Sequence, residues 1–308
     1  MAQTLLQLVN QAQAELGVTV TATVAANTSR PVVQMFNLLN GVGQDLVREY
    51  EWQRLSKLHQ FTTIYYEYTG NTTVDSTTLS VLSSTTGLTS TPTYFQVSGP
   101  GINTATRLIS VNGGAATAVI SQPATATAST VDLLFSQVIY DMPSDYDRIT
   151  DDTEWDNSDH WQLMGPATAQ QWRYLQSGWI ATGPRASFRI LDNKFQIWPL
   201  QSSSLIFTFE YISNLWVLAA AGTAPTKTAF SDDTDTSVFP DRLLIDGLKL
   251  RWSQANQRPD WEAYNRLWER QLSISKASDA GSATLSMSGR KPSLLIDERN
   301  IPDSFPTS

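Results

Sequence analysis

A stretch of 63 residues from Thr69 to Val131 is almost free of charge and dictates how the rest of this 308-residue chain must be organised. It contains two charged residues, Asp75 and Arg107, and no tryptophan, whereas the other 245 residues hold 48 charges and all ten tryptophans. Short β-prone runs within it are separated by strong turn signals such as Gly99-Pro100-Gly101 and Asn112-Gly113-Gly114. This spacing predicts a small all-β module, with a disordered Ser/Thr-rich linker as the alternative.

The segments on either side of this stretch predict two strands of one hairpin. Residues 61–68 alternate apolar and polar side chains, and residues 131–135 resume a strand pattern. Because loop tips tolerate insertions best, we expect the β module at the tip of that hairpin. The predicted domains are a core of residues 1–68 and 132–277, the inserted module of residues 69–131, and a tail of residues 278–308.

Helical periodicity dominates both ends of the chain. The signals are a capping Thr4 with a terminating Gly17, a capping Ser29 before a helix running to about Lys57, and two later helices opened by Pro240 and Pro259. The last of these helices carries an apolar set of Trp261, Tyr264, Leu267, Trp268 and Leu272. The predicted fold class is therefore α+β: a helical bundle (an N-terminal helix pair plus long C-terminal helices) with an antiparallel β domain, a small all-β inserted module and an extended C-terminal tail.

Composition excludes several classes of function. The absence of cysteine removes disulfides, thiolate metal sites and cysteine nucleophiles, and only two histidines, His59 and His160, are present. A net charge of −8 argues against non-specific binding to the phosphates of nucleic acids. We expect neither a transmembrane span nor a secretory signal, and hence no membrane partner, because no long apolar run occurs. These properties are typical of a soluble protein of the reducing cytoplasm.

The acidic segment from Asp141 to Asp159 is the strongest candidate for a chemical site. Its carboxylates are Asp141, Asp145, Asp147, Asp151, Asp152, Glu154, Asp156 and Asp159. Such a cluster can hold Ca²⁺, and paired carboxylates can hydrolyse glycosides, but the spacing matches neither signature. We favour a solvated loop whose aspartates cap turns, with calcium binding as an open alternative. We predict no catalytic residue, no metal ligand, no cofactor and no enzymatic activity.

The block from Met142 to Gly183 carries a resemblance to a known family. It begins Met142-Pro143-Ser144-Asp145-Tyr146-Asp147-Arg148-Ile149 and continues with Trp155, His160-Trp161, Gly165-Pro166 and Gly178-Trp179. Followed by the strand segments 188–199 and 205–211, this order resembles the head-to-tail adaptor (connector) proteins of short-tailed bacteriophages. The resemblance covers about residues 1–68 and 132–308, and the inserted module departs from the family's minimal plan.

The resemblance implies a structural virion protein at the head–tail junction, assembled in the host cytoplasm. Such adaptors form rings, here expected to be a dodecamer, between the portal protein and the tail nozzle or tube, and DNA passes through the channel without specific binding. Their C-terminal extension docks on the portal. The residues of this chain that we assign to that contact are Arg290, Lys291, Leu294, Leu295 and Ile296.

A glycan-binding or glycan-cleaving tail component is the alternative function. It is motivated by residues 141–179, which combine carboxylates with four tryptophans that could stack on sugars.

Overall fold

Antiparallel β structure predominates in this chain. The structure, a computed structural model, describes residues 2–177, 185–220 and 222–279. Within those residues sixteen strands form five sheets, and helices account for 29% of the residues. The predicted helical bundle carrying a β domain is therefore wrong as a fold class. The error arises because many of the strands span only two to five residues. Such short strands show no clear alternation of apolar and polar residues, whereas the long helices show a clear helical period in the sequence.

The helices predicted from Thr4, Ser29, Pro240 and Pro259 are all present, although the ends of some of them differ. The α-helices of the described residues are α1 (Leu5–Leu16), α2 (Arg30–Glu49), α3 (Ala169–Leu175), α4 (Asp241–Ala255) and α5 (Trp261–Asp279). The helix α5 runs two residues into the predicted tail, and residues 280–308 lie outside the described residues. None of these helices is both long enough and apolar enough to cross a membrane.

Local chemistry sets both ends of α1 as predicted. Thr4 and Gln7 form a reciprocal capping box, in which the Thr4 hydroxyl accepts from the Gln7 N–H and the Gln7 side chain accepts from the Thr4 N–H. Gly17 closes the helix at φ +70°, a left-handed conformation that glycine adopts without steric cost.

The second helix ends earlier than predicted, at Glu49 rather than near Lys57. Trp52 is fully buried after that end, and its indole N–H donates to the carbonyl oxygen of Leu46 at 2.6 Å. A 3₁₀ turn over Gln53–Leu55 follows, and a strand begins at Ser56. Burial of one tryptophan thus redirects a chain whose local pattern is still helical.

The first core lies between α1, α2, α4 and α5 and a short sheet of β15 (Val217–Leu218) and β16 (Thr236–Ser237). Two glycines permit close packing there. A Cβ atom on Gly43 of α2 would lie 2.1 Å from the ring of Trp216, which is fully buried. A Cβ atom on Gly247 of α4 would lie 2.5 Å from the ring of Trp268 on α5.

The second core lies between two antiparallel sheets. The larger sheet consists of β1 (Ser56–Thr62), β14 (Ile206–Ser213), β9 (Tyr146–Ile149), β10 (Trp155–Asp156) and β11 (Trp161–Gln162). The smaller sheet consists of β12 (Ser187–Leu191), β13 (Lys194–Trp198) and β8 (Ile139–Asp141). Stacked rings of Phe188, Phe195 and Phe209 join them, with centroid distances of 4.9 and 5.3 Å.

The nearly uncharged stretch contributes most of two further three-stranded sheets. One consists of β2 (Tyr65–Thr72), β7 (Ala128–Gln137) and β4 (Phe95–Ser98), and the other of β3 (Thr78–Leu79), β6 (Thr117–Ile120) and β5 (Leu108–Asn112). They share a third core. The composition boundaries at Thr69 and Val131 fall inside β2 and β7, which pair with each other. The division into domains at those boundaries stays a prediction.

Candidate functional site

Asp145 lies in the block that carries the family resemblance, and its carboxylate accepts three hydrogen bonds. Its carboxylate accepts from the Lys57 ammonium at 2.6 Å, from the Ser213 hydroxyl at 2.8 Å and from the Tyr211 hydroxyl at 2.9 Å. Burial alone would raise the pKa of Asp145, but these bonds outweigh it and hold the pKa below its usual value. Asp145 therefore joins β1 and β14 and is not available as a catalytic base.

Arg148 connects the same block to the end of α2. Its guanidinium donates to the carbonyl oxygens of Val47 at 3.1 Å and Tyr50 at 2.8 Å, and it pairs with Asp147 at 2.8 Å. The last carbonyl groups of a helix have no partner within the helix, so a cation placed there satisfies them. The Asp-Tyr-Asp-Arg sequence is thus a structural joint between the larger sheet of the second core and α2.

Two further carboxylates of the acidic segment hold local structure. Asp141 accepts from Lys194 at 2.6 Å and from the Tyr94 hydroxyl at 3.0 Å, and the bond from Lys194 lowers the pKa of Asp141. Asp156 accepts from the backbone N–H groups of Ser158 and Asp159, which is an Asx-type turn. The favoured interpretation, aspartates that cap turns, holds for Asp156.

Glu154 differs from the neighbouring carboxylates because it is buried, which its position in the sequence did not indicate. It is 2% exposed, and one of its carboxylate oxygens has no hydrogen-bond partner. Burial and the nearby charges of Asp151 and Asp152 raise the pKa of Glu154. Within residues 2–177, 185–220 and 222–279 no three acidic or histidine side chains are grouped so that they could hold a metal ion. Calcium binding by the acidic segment therefore stays an alternative that such a group of side chains does not support.

The histidines and tryptophans mostly belong to the interior or to turns. His59 packs against Phe61 and Phe209, and burial lowers the pKa of His59. His160 occupies an exposed turn at φ +58°. Five of the ten tryptophans are buried within this one chain: Trp52, Trp172, Trp198, Trp216 and Trp252. The high tryptophan content is thus explained in part by the chain's own cores, without a neighbouring copy.

The residues assigned from the resemblance to portal contact, Arg290, Lys291, Leu294, Leu295 and Ile296, lie outside the described residues. The last described residue, Asp279, has a defined place. Its carboxylate accepts from the backbone N–H of Gln53 at 2.7 Å and pairs with Arg54. The tail therefore begins beside the turn that connects α2 to β1.

The outward side of α5 is exposed along its length. Of its nineteen residues only Ser275 is buried. Leu267 and Ile274 are 43% and 50% exposed, and among the described residues the side chains of Arg266 and Arg270 have no ion-pair or hydrogen-bond partner. We call the set Arg266, Leu267, Arg270 and Ile274 the helix face.

One face of the larger sheet in the second core is also exposed. Leu58 on β1 is 67% exposed and lies directly opposite Glu210 on β14. Beyond Glu210, the adjoining turn carries Asp151 and Asp152, both exposed. In the part of the chain that the structure describes, none of these three carboxylates pairs with a cation. We call the set Leu58, Asp151, Asp152 and Glu210 the sheet face.

Comparison with known proteins adds no assignment. No protein-family model matches the chain, and no curated protein matches it. Inference about function therefore depends on the residues and on the surfaces described above.

Proposed function

We propose that this chain is a structural virion protein, a head-to-tail adaptor that forms a ring between the portal protein and the tail nozzle or tube. It acts as an assembly component and not as an enzyme, and it needs no cofactor. Its place is the head–tail junction of the virion, after assembly in the host cytoplasm. The proposal keeps the resemblance over residues 142–183 but not the helical-bundle fold that accompanied it.

The observation that carries the proposal is the exposure of α5. α5 packs on the first core through the half-buried side chains of Tyr264, Trp268 and Leu272, but only one of its nineteen residues is fully buried, although helices in globular proteins depend mainly on a buried apolar face. Trp261, Leu267 and Ile274 are each at least 40% exposed on this helix. Leu267 and Ile274 are seven residues apart and lie on the same side of α5, and adjacent exposed apolar side chains favour an interaction site.

The attachment of Asp279 supports a portal-docking role for the tail. The bonds from Gln53 and Arg54 fix the position of Asp279, the last described residue, so that residue would lie at an equivalent position in every copy of a ring. Once one tail of the ring has bound the portal, the other tails are held near it at a high effective concentration, so the ring binds more tightly than a single tail. The Leu294-Leu295-Ile296 cluster supplies the apolar part of each contact, and Arg290 and Lys291 the charged part.

The overall charge of −8 supports a channel through which DNA slides. A negative wall repels phosphate groups, so the DNA passes without specific binding.

Purified protein mixed with the portal protein should form a ring complex of twelvefold symmetry in electron micrographs.

Deletion of residues 280–308 should leave the unfolding temperature of the subunit unchanged but weaken binding to the portal at least about tenfold, because each buried leucine or isoleucine side chain contributes roughly 1.5–3 kcal/mol. A second, full-length variant, Arg290→Glu/Lys291→Glu, tests the charged part of the contact. It keeps the apolar cluster, and its affinity for the portal should fall by an amount that depends on the salt concentration.

A wild-type protein that remains monomeric and never binds the portal contradicts the proposed function. A truncated protein that unfolds at a much lower temperature contradicts only the docking role of the tail, since the tail then belongs to the subunit core.

Glycan binding is the second candidate, and one observation favours it, at residues other than the 141–179 segment that the sequence indicated. A cleft of about 600 Å³ lies on the sheet of β2, β7 and β4, and its lining includes the carboxylates of Glu67 and Asp132 and the hydroxyls of Ser83 and Ser98. Carboxylates and hydroxyls accept hydrogen bonds from sugar hydroxyls. Binding on a glycan array that is lost in Glu67→Gln/Asp132→Asn and kept in the control Asp75→Asn would establish this function; a blank array for the wild type removes it.

A further inference from the structure

We propose that the helix face of one copy docks on the sheet face of the next copy. This inference rests on the proposed function, because it names the surfaces through which the ring would close. It assigns to α5 a specific partner surface on a second copy of this chain, rather than the portal or the tail nozzle.

The helix face is held in a single orientation by contacts on its opposite side. Trp268 packs beside Gly247 of α4, Lys249 lies 5.2 Å from the centroid of the Tyr264 ring, and Lys276 pairs with Glu49 of α2 at 3.0 Å. These contacts prevent the helix from rotating to bury its other side. Leu267 and Ile274, seven residues apart, therefore both point outward.

The helix face combines apolar and basic groups. Arg270 lies three residues after Leu267 and four before Ile274, so the three side chains share one stripe, with Arg266 at its edge. The two arginines have no acidic partner among the described residues. A surface that covers this stripe must accommodate both exposed apolar side chains and supply negative charge.

The sheet face has the matching composition. Leu58 and Glu210 are directly opposite across β1 and β14, and their side chains point to the same side. The backbone N–H of Thr150 donates to the Glu210 carbonyl at 3.0 Å, and the Glu210 N–H donates to the Thr153 hydroxyl at 3.0 Å. These two bonds hold the turn that contains Asp151 and Asp152 beside Glu210. The result is an exposed leucine next to three carboxylates that pair with no cation of the described residues.

Charge complementarity favours a second copy as the occupant. On the helix, two arginines that have no partner within the described parts of the chain flank apolar groups. On the sheet, three carboxylates that likewise have no cation partner there flank an apolar group, so each surface supplies what the other lacks. A helix laid on an exposed sheet face is also a standard packing of secondary structure. Because the two surfaces differ, the contact is heterologous, and repetition of such a contact around an axis closes a ring.

Reciprocal charge reversal tests this pairing. The helix variant is Arg266→Glu/Arg270→Glu, the sheet variant is Asp151→Lys/Glu210→Lys, and the third protein carries all four substitutions. The control, Arg107→Glu/Arg173→Glu, reverses two exposed arginines elsewhere whose side chains have no ion-pair or hydrogen-bond partner among the described residues. Light scattering would measure the mass of the assembly formed with the portal ring, and circular dichroism would check that each subunit is folded.

We expect the helix variant and the sheet variant each to need at least tenfold more protein to assemble, and the four-substitution protein and the control to assemble like the wild type. If folded helix and sheet variants assemble like the wild type, or if the four substitutions together fail to restore assembly, the pairing is wrong while the ring itself stands. A wild type that never assembles on the portal overturns the proposed function and this inference with it.

Discussion

Substitution of Gly43 by alanine is expected to destabilise the fold by roughly 3 kcal/mol, a large value for the addition of one methyl group. The new Cβ would lie 2.1 Å from two ring atoms of Trp216. Trp216 cannot move away easily, because it is fully buried, packs edge-on against Phe230, and donates through its indole N–H to the Thr228 carbonyl. Chemical denaturation followed by circular dichroism would measure the loss.

Gly41 on the same helix is the matched control. A Cβ atom at Gly41 has no heavy atom within 4 Å, so Gly41→Ala should stabilise the protein by about 0.5–1 kcal/mol through helix propensity alone. The clash between a Cβ atom at position 43 and the Trp216 ring can also be tested by replacing that ring with a smaller one. In a Trp216→Phe background, Gly43→Ala should cost much less than in the wild type, because the indole atoms that it meets are gone. Equal effects of Gly41→Ala and Gly43→Ala would show that α2 does not pack on Trp216 in this way.

Substitution of Asp145 by asparagine is expected to cost about 2–3 kcal/mol at neutral pH, since it weakens three hydrogen bonds to a charged group and leaves the Lys57 ammonium unpaired. Asp151→Asn is the control, because Asp151 is exposed and has no cation partner among the described residues, and its effect should lie within about 0.5 kcal/mol. Urea denaturation of both variants at pH 7 gives the comparison.

The same carboxylate predicts a pH dependence. The pKa of Asp145 is lower in the folded protein than its ordinary value of 3.8, so the unfolded chain binds the proton more tightly. The stabilisation is therefore present above pH 3.8 and is lost as the pH falls through the lowered value. Asp145→Asn should lose less stability than the wild type between pH 6 and pH 3. Parallel stability curves for the two proteins over that range would contradict the assignment.

Sequence reasoning succeeded where a structural signal involves residues close together in the chain. The capping box of Thr4 and Gln7 and the left-handed Gly17 are examples, because each needs only a few residues to form. The turn at Asp156 is another. The role of Asp145 was beyond such reasoning, because its three partners are 66, 68 and 88 residues away and nothing local indicates them.

The fold class failed for a related reason. A two-residue strand such as β10 or β16 has no periodicity, and it exists only because a partner strand from elsewhere supplies its hydrogen bonds. The early end of α2 has the same origin, since it depends on burial of Trp52 in a core assembled from distant segments.

By itself the sequence determined where helices begin, where turns occur, and which stretch would avoid charge and tryptophan. Only the tertiary structure decided which side of each element is covered. The apolar residues of α5 illustrate this: Tyr264, Trp268 and Leu272 pack on the first core, whereas Trp261 and Leu267, equally apolar, stay exposed. Periodicity defines a broad stripe on a helix, but the part of the stripe that is buried is set by long-range packing on α4 and by the ion pair of Lys276 with Glu49 of α2.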